Sequence, residues 1–191
     1  MIESEKINVI IFEDYDKGVI TPSLIKNVVE LAGKKSIPVV ADPKRKNFNE
    51  YKNITLFKPN LKELAEGLKL DILPKNQTDI ENAVETFQLN NNIDMVMVTL
   101  SEAGVFISSK NKNSNIIDAR HNITAHIRNI ADVSGAGDTV ISVASLCLAL
   151  NLNPYIIASL SNLAGGLVCE EVGVVPVNKE KLFQEAIDMM I

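Results

Sequence analysis

The chain has 191 residues, of which 46% are hydrophobic, and this is enough apolar material for one packed core with at most a small appendage. Its 24 acidic residues outnumber its 19 basic residues, giving a net charge of −5, and no basic run is long enough to neutralise many phosphates. The composition therefore excludes an intrinsically disordered chain and argues against a nucleic-acid partner.

The start of the chain and its cysteines predict a cytoplasmic protein. Two acidic residues stand where a secretory signal needs basic ones, and the apolar stretch that follows is only about five residues long. Cys147 and Cys169 both lie in apolar, helix-like sequence, which favours packing over a disulfide or a metal site. Residues 139–169 contain no charged side chain, but Pro154 divides them into halves too short to span a membrane. A buried helical hairpin and no membrane partner are therefore expected.

In chain order, the first half of the sequence alternates buried strands with amphipathic helices. Short apolar runs rich in β-branched residues predict four strands, at 8–12, 37–41, 54–57 and 95–100. Helical spacing of apolar residues, with a threonine cap before the first and third, predicts three helices, at 22–32, 61–68 and 78–89. Strand, helix and strand within about 35 residues form a βαβ unit, which indicates a mostly parallel sheet covered on both faces.

The second half of the sequence is predicted to be mostly helical. The run 105–107, after a turn at 101–104, is typical of a hairpin, so the far edge of the sheet is expected to be antiparallel. His121 and His126 lie in a polar segment without further metal-ligand spacing and are interpreted as surface residues. Apolar periodicity then predicts three helices, at 136–150, 154–171 and 179–190. No repeat or linker interrupts the chain, so residues 1–191 are interpreted as one α/β domain.

The strongest local motif is Asp132-Val-Ser-Gly-Ala-Gly-Asp138-Thr139, which runs directly into an apolar helix. Small residues at 135–137 let a ligand approach the backbone, and a helix N-terminus offers unpaired N–H groups to an anion such as phosphate. Asp138 would repel that anion unless it has another task, and accepting the proton of an attacking hydroxyl is such a task. The alternative is a plain glycine turn in which Ser134 or Asp138 caps the helix.

Two other glycine motifs do not fit this segment. A dinucleotide fingerprint needs a third glycine where Val140 stands, and it belongs after the first strand of a domain. A Walker-type loop needs a glycine followed by Lys and Ser or Thr, and the segment lacks that sequence. The segment therefore favours neither nucleotide motif.

Polar residues also follow three of the predicted strands. Asn60 and Glu63 share a helical face and could organise a hydrated Mg²⁺, although the same spacing is that of a capping box. Asp42 and Lys44 bring a carboxylate and an ammonium to the same edge of the sheet, with a solvated ion pair as the alternative. The segment 98–104 ends a strand where open α/β sheets bind nucleotides, although by itself it is an ordinary turn.

Taken in this order, the segments resemble the C-terminal portion of a PfkB-family (ribokinase-like) sugar kinase. Three segments carry the resemblance: Asp132-Val-Ser-Gly-Ala-Gly-Asp138-Thr139, Pro59-Asn60-Leu-Lys-Glu63 and Thr99-Leu-Ser-Glu-Ala-Gly104. Within the family, three segments most resemble the heptose 7-phosphate kinase part of ADP-heptose synthases: Asp14-Tyr-Asp-Lys-Gly18, Asp42-Pro-Lys44 and Val98-Thr-Leu-Ser101. The resemblance covers almost the whole chain and implies a ribokinase-like three-layer α/β/α sandwich with a mostly parallel sheet.

The resemblance implies a phosphotransferase that moves phosphate from ATP to a hydroxyl of D-glycero-D-manno-heptose 7-phosphate, on the pathway to the lipopolysaccharide core. Asp138 would be the catalytic base that takes the proton from the sugar hydroxyl. The backbone of Gly135, Ala136 and Gly137 would form the anion hole for the transferring phosphoryl group. The phosphosugar would be a small-molecule substrate.

The resemblance also implies four sets of binding residues. Mg²⁺ and its waters would be held by Asn60 and Glu63. The nucleotide would be lined by Thr99, Ser101, Gly104, Asn162 and Gly166. The phosphosugar would be contacted by Lys17, Asp42 and Lys44. A monovalent cation such as K⁺ would be bound with the help of Asp132 and Ser134.

Two features depart from the family pattern. Ser101 stands where many members have glycine, which stiffens that loop. The chain also starts at what resembles the middle of a family member, so the early strands, the lid and much of the sugar-binding surface have no counterpart, and the open sheet edge allows a homodimer. Three interpretations therefore stay open: a working heptose-phosphate kinase, a nucleotide-binding fragment without activity of its own, and a kinase for another sugar or a nucleoside.

Overall fold

A six-stranded sheet forms the centre of the computed structural model, which describes residues 2, 6–72, 76–111, 114–126 and 128–191. The strands lie in chain order across the sheet: β1 (Ile10–Glu13), β2 (Val39–Asp42), β3 (Leu56–Phe57), β4 (Met95–Thr99), β5 (Val105–Asn111) and β6 (Ile116–Ile123). Neighbouring strands from β1 to β4 run parallel, whereas β5 and β6 are antiparallel to their neighbours. The predicted mostly parallel sheet with an antiparallel far edge is confirmed.

Within the described residues, six helices accompany the sheet: α1 (Pro22–Lys34), α2 (Leu61–Leu68), α3 (Gln77–Asn90), α4 (Ala136–Ala149), α5 (Pro154–Val168) and α6 (Lys179–Asp188). Side-chain oxygens accept the first free N–H groups of five of them, as the sequence predicts for α1 and its cap Thr21. The cap of α3 is Asn76, so the predicted threonine start at Thr78 lies two residues inside the helix. Short 3-10 turns occupy Arg45–Glu50 and Ser101–Ala103.

Alternate strand residues pack on opposite faces of the sheet, because successive side chains of a strand point to opposite sides. One face, which includes Phe12 and Phe57, packs against α1, α2 and α3. The other face, which includes Val40, Leu56 and Met97, packs against α4 and α5. Two helical layers with a sheet between them form the three-layer α/β/α sandwich that the sequence predicts.

The helical hairpin predicted in the uncharged stretch is formed by α4 and α5, which pack against each other. Cys147 and Cys169 are buried and unpaired, as the sequence predicts. Within the described residues, none of the helices combines the length and the apolar character needed to cross a membrane. Glu3 and Glu5, on which the argument about a secretory signal depends, lie outside the described residues.

The region around β6 differs from the sequence prediction. The strand itself was not predicted, although its residues pair with β5 over most of their length. Both histidines nearby are half-buried, so their interpretation as surface residues is wrong. The ring of His121 packs edge-on against Tyr155 at 5.4 Å between centroids. Burial and the charge of Arg128 lower the pKa of His126.

Candidate active site

The carboxyl ends of β1 and β2 bring two acidic side chains together on the face covered by α4. Glu13 and Asp42 are register partners in the parallel sheet. Asp42 lies two residues after Val40, which packs on the α4 side, so both acids point to that side. The N-terminus of α4 reaches the same place with Asp138. Glu13, Asp42 and Asp138, here called the carboxylate cluster, have carboxylate oxygens within 4.8 Å of one another.

Two lysine ammonium groups lie against this cluster. Lys58 directly follows β3, its side chain is only 3% exposed, and its Nζ lies 2.9 Å from Asp42 Oδ2. Lys44 Nζ lies 3.7 Å from Asp42 Oδ1 and 2.5 Å from Glu63 Oε1. The ion pair of Asp42 and Lys44, given above as the solvated alternative, is therefore part of a largely buried network in which Asp42 contacts both lysines. Burial lowers the pKa of Lys44, but the hydrogen bond to Glu63 and the charge of Asp42 outweigh it and raise the pKa overall.

Two acids of the carboxylate cluster have raised pKa values. Burial, followed by the negative charges of Asp42 and Asp138, raises the pKa of Glu13 to about 7. Burial also raises the pKa of Asp42, and the charges of Lys58 and Lys44 oppose that rise only in part. Strongly shifted carboxyl groups at the end of a sheet are typical of functional sites.

The loop after β1 is anchored by hydrogen bonds to the buried side chain of Asp14. Its carboxylate accepts hydrogen bonds from Asn47 Nδ2 at 2.8 Å and from the Tyr51 hydroxyl at 3.0 Å. The backbone N–H of Asp16 donates to the same carboxylate at 2.9 Å. Because the charged acceptor is satisfied by three donors, the loop conformation is well defined despite its exposed tip.

The tip of this loop carries Tyr15 to the carboxylate cluster. The Tyr15 hydroxyl lies 3.1 Å from Asp138 Oδ1 and 3.0 Å from Oδ2, to which it donates a hydrogen bond. That hydrogen bond raises the pKa of Tyr15. Lys17, predicted to contact the phosphosugar, is exposed in the same loop, and no contact among the described residues joins it to the cluster.

The N-terminus of α4 begins without a side-chain cap. Its cap residue is Gly135, in the left-handed conformation at φ +78°, so the alternative in which Ser134 or Asp138 caps the helix is wrong. Among the described residues, no acceptor takes the N–H of Gly137 or of Asp138, and these two donors are free for an anion. A Cβ at Gly137 would lie 3.8 Å from Lys58 Nζ, so the start of α4 lies close to the buried ammonium.

Asp132 and Ser134, the predicted cation-binding pair, lie on the other side of the glycine turn. Asp132 Oδ1 accepts hydrogen bonds from the Ser134 N–H at 3.0 Å and from its hydroxyl at 2.8 Å. Asp132 Oδ2 accepts one from the N–H of Gly173 at 3.0 Å. These donors, the Ser134 N–H first, lower the pKa of Asp132 and keep it ionised. The two side-chain oxygens are therefore adjacent, as the prediction requires.

The capping box predicted at α2 is present. The N–H of Glu63 donates to Asn60 Oδ1 at 2.8 Å, and the N–H of Asn60 donates to Glu63 Oε2 at 2.8 Å. The same two residues fix a carboxylate and an amide oxygen at one helix start, beside Lys44. Each oxygen keeps a free lone pair, and carboxylate and amide oxygens are suitable ligands for Mg²⁺ bound through water. The structural and the ion-binding interpretations of this motif are compatible.

The loop after β4 is determined by backbone conformation. Thr99 forms a parallel bridge with Asn60, which joins this loop to the start of α2. Gly104 has φ +95°, and a Cβ there would lie 2.0 Å from the carbonyl oxygen of Ile123. Ser101 also has a left-handed conformation, at φ +53°, which glycine adopts at a lower cost. The loop therefore needs glycine at 104 and carries some strain at 101.

Asn162 and Gly166, predicted to border the adenine, contact the segment that follows β6. Asn162 Nδ2 donates to the carbonyl oxygen of Thr124 at 2.9 Å. A Cβ at Gly166 would lie 3.0 Å from Nε of Arg128, whose side chain is ion-paired with Glu170 at 2.9 Å. Among the described residues, no contact joins this group to the carboxylate cluster.

Sequence reasoning missed three residues of the site, Glu13, Tyr15 and Lys58. Each stands within three residues of the end of a predicted strand, at the sheet edge where Asp42 also lies. That position was the signal that could have found them, since open α/β sheets bind ligands at the carboxyl ends of their strands.

Comparison with known sequences gives long matches. Bifunctional protein HldE of Koribacter versatilis is 36% identical over 174 residues, which cover 91% of this chain and 34% of that protein. Bifunctional protein HldE of Aliarcobacter butzleri is 32% identical over 180 residues, covering 94% of this chain and 36% of that protein. The chain thus spans about a third of the length of these curated relatives.

Comparison with solved structures confirms the ribokinase-like fold. Phosphofructokinase-2 from Escherichia coli in complex with potassium superposes with a TM-score of 0.78 at 17% identity, covering 90% of this chain and 54% of that one. Arabidopsis thaliana ribokinase complexed with ribose and ATP gives a TM-score of 0.72 at 18% identity, covering 86% and 52%. The family model described as pfkB family carbohydrate kinase matches residues 17–181. Because that match extends over most of the chain, the protein belongs to the pfkB family of carbohydrate kinases.

Proposed function

We propose that the chain is a single, partial sugar kinase domain of residues 1–191 that transfers a phosphoryl group from ATP to a hydroxyl of a phosphorylated heptose, with Asp138 as the base. The observation that supports this most is the uncapped start of α4. There a carboxylate accompanies two free N–H donors at a helix start that lies close to a buried lysine. The heptose part of the proposal rests on the resemblance of segments 14–18, 42–44 and 98–101 to the heptose 7-phosphate kinase.

In the proposed reaction, an oxygen of the sugar attacks the γ-phosphorus of ATP while its proton passes to a carboxylate oxygen of Asp138. The new O–P bond forms as the bond to the leaving ADP breaks. We assign the anion hole for the transferring phosphoryl group to the backbone of Gly135, Ala136 and Gly137, where the N–H of Gly137 is free and that of Ala136 donates to the carbonyl oxygen of Val133 at 3.3 Å. Donors fixed in advance stabilise the charge that develops there. Tyr15, which hydrogen-bonds both oxygens of Asp138, holds the base in position.

The remaining site residues are proposed to bind the substrates and the metal ions. Mg²⁺ held through water by Asn60 and Glu63 would neutralise charge on the ATP phosphates. We assign the nucleotide to Thr99, Ser101, Gly104, Asn162 and Gly166. We assign the phosphosugar to Lys17, Asp42 and Lys44. A monovalent cation at Asp132 and Ser134 would order the turn that carries the anion hole. The proposed setting is the cytoplasm, on the pathway to the lipopolysaccharide core.

The share of each relative that the chain covers favours a second candidate. This chain covers 34% of the first HldE relative and 54% of the phosphofructokinase-2 chain. Catalysis in this class depends on closing the site to water, and further chain would be needed for that closure. The alternative is therefore a nucleotide-binding domain that becomes active only with additional sequence, alone or as a homodimer.

The test is ADP release from Mg²⁺ and ATP in the presence of heptose 7-phosphate and a panel of other sugars. In Asp138→Asn, we expect turnover to fall by roughly 10²- to 10⁴-fold while nucleotide binding persists. Asp188→Asn, an exposed change on α6, is the matched control. Equal turnover in Asp138→Asn and the wild type would remove Asp138 as the base. If none of the sugars causes ADP release while ATP still raises the melting temperature, the second candidate is favoured.

A further inference from the structure

Glu13 is the member of the carboxylate cluster that the proposed reaction leaves without a task. Asp42 is paired with Lys58 at 2.9 Å, and Asp138 accepts the hydrogen bond of Tyr15. In the part of the chain that the structure describes, no ion pair or hydrogen bond joins the Glu13 side chain to another group. Its carboxylate is nevertheless half-buried and lies within 4.8 Å of the other two.

The charges that face Glu13 do not balance. From β2 comes Asp42 and from α4 comes Asp138, while Lys58 after β3 and Lys44 after β2 supply the positive charges. Lys58 is paired with Asp42 and Lys44 with Glu63, so neither ammonium pairs with Glu13, and their charges only partly offset the rise in its pKa. Like charges this close cannot both ionise at low cost, and one carboxyl group of such a pair keeps its proton.

We propose that Glu13 is a positioning residue that carries a proton in the resting site, so that the site beside the base Asp138 holds one negative charge fewer against phosphate ligands. This inference rests on the proposed function. The proton resides on a carboxyl oxygen of Glu13, within 4.8 Å of the carboxylates of Asp138 and Asp42. The value of about 7 for the pKa of Glu13 agrees with a proton that leaves near neutral pH.

Loss of that proton to solvent changes what the site can bind. Above neutral pH the ionised Glu13 adds a full negative charge within 4.8 Å of the Asp138 carboxylate, at the helix start that carries the free N–H groups. Both proposed substrates are phosphate anions, so this charge repels them without displacing any contact. Affinity for ATP should fall as the pH rises, and a neutral amide at position 13 should abolish that fall.

The first measurement is the dissociation constant of ATP with Mg²⁺, by calorimetry, between about pH 5.5 and 8.5. Wild type is compared with Glu13→Gln and with Glu30→Gln, a matched change at an exposed position on α1. We expect the wild type and Glu30→Gln to lose affinity by roughly fivefold or more relative to Glu13→Gln as the pH rises. The nucleotide's own titration is common to all three proteins and cancels in the comparison. Superimposable profiles for wild type and Glu13→Gln would overturn the inference.

A second measurement needs neither ligand nor activity. A carboxyl pKa raised on folding means that the folded protein holds the proton more tightly, so its stabilising effect fades as the pH rises from 4.5 through about 7. The melting temperature of Glu13→Gln should therefore rise relative to that of the wild type as the pH increases across this window. The melting temperature of Glu30→Gln should show no such relative rise. If the melting temperatures of the wild type and Glu13→Gln change with pH in parallel, the inference is overturned.

Carbon NMR of glutamate carboxyl groups in the wild type guards against a variant that fails to fold. One glutamate should titrate near pH 7, and a spectrum in which none titrates between about pH 6 and 8 overturns the inference. The proposed kinase activity fails separately, by absence of sugar-dependent ADP release. That failure leaves the melting and NMR results unchanged.

Discussion

The two halves of the sheet edge are built by different physical means. At the ends of β1 to β3, the site consists of charges taken out of water: Asp42, Lys58 and half-buried Glu13. At the ends of β4 to β6, it consists of backbone conformations, with Ser101 and Gly104 both at positive φ. The first half can bind and move protons, whereas the second offers shape and backbone groups. In a phosphoryl-transfer enzyme these would serve the reacting phosphate and the nucleotide base respectively.

The largest expected effect lies in the charged half. Lys58→Met would leave Asp42 buried without its main partner, and breaking a buried pair in this way costs about 3 to 5 kcal/mol of unfolding free energy. Denaturant unfolding at pH 7 measures it, with Lys62→Met as the control, because Lys62 is 83% exposed and its pair with Glu66 is worth little.

The pH dependence of the Lys58→Met variant identifies the cause. Without the lysine, the pKa of Asp42 rises further above its unfolded value, so the folded state holds the proton more tightly and regains stability as the pH falls. A loss of stability that is equal at pH 7 and at about pH 5 would mean that Lys58 acts through packing alone.

At the ends of β4 to β6, where backbone conformation determines the structure, adding a single methyl group should change the stability of the fold. Gly104→Ala places a Cβ 2.0 Å from the Ile123 carbonyl oxygen at φ +95°, and we expect a loss of about 2 to 3 kcal/mol in unfolding free energy. Gly33→Ala is the matched control, because Gly33 lies within α1 with no atom within 4 Å of the added Cβ, and there the change should stabilise by about 0.5 to 1 kcal/mol. Opposite signs for the two variants are expected, and a neutral Gly104→Ala would contradict the backbone interpretation.

Tyr15→Phe tests whether the loop after β1 belongs to the charged half in function as well as in place. Tyr15 is 55% exposed, so the melting temperature should hardly change. Losing the hydrogen bond to Asp138 should lower kcat by roughly three- to tenfold, about 1 kcal/mol, with KM for ATP unchanged. Tyr155→Phe, which alters a hydroxyl far along the chain on α5, should leave kcat alone. A rise in kcat would instead mean that Tyr15 competes with the sugar hydroxyl for the base.

The two halves also differ in how well the sequence predicts them. The parallel strands and the helices follow from apolar periodicity, and the capping box at Asn60 and Glu63 follows from spacing alone. The strand β6 was missed, since alternating exposed and half-buried residues on an edge strand carry too little apolar signal. Strong patterns of burial are predictable, and weak ones on an edge are not.

The charged half was predicted only in part, because burial of a charge depends on partners far away in the chain. Asp42 and Lys44 were identified, but a lysine after a strand is ordinarily exposed, and nothing local marks Lys58 as buried. The pKa of Glu13 is raised first by burial and then by the charges of its register partner Asp42 and of Asp138, more than a hundred residues later. Such environments arise from tertiary contacts, which a single sequence does not display.

The smallest expected effect distinguishes strain from function in the backbone half. Ser101 occupies the left-handed region at φ +53°, so Ser101→Gly should relieve strain, although glycine also loses more chain entropy on folding. The two terms nearly cancel, and we expect a gain of at most about 0.5 to 1 kcal/mol by thermal unfolding. Ser114→Gly, at an exposed turn position where no positive φ occurs, should show only the entropy loss. Ser101→Gly could also prove as destabilising as Ser114→Gly and yet weaken ATP binding more. In that case the strained backbone at Ser101 serves ligand binding, just as the buried charges at the other half of the sheet edge do.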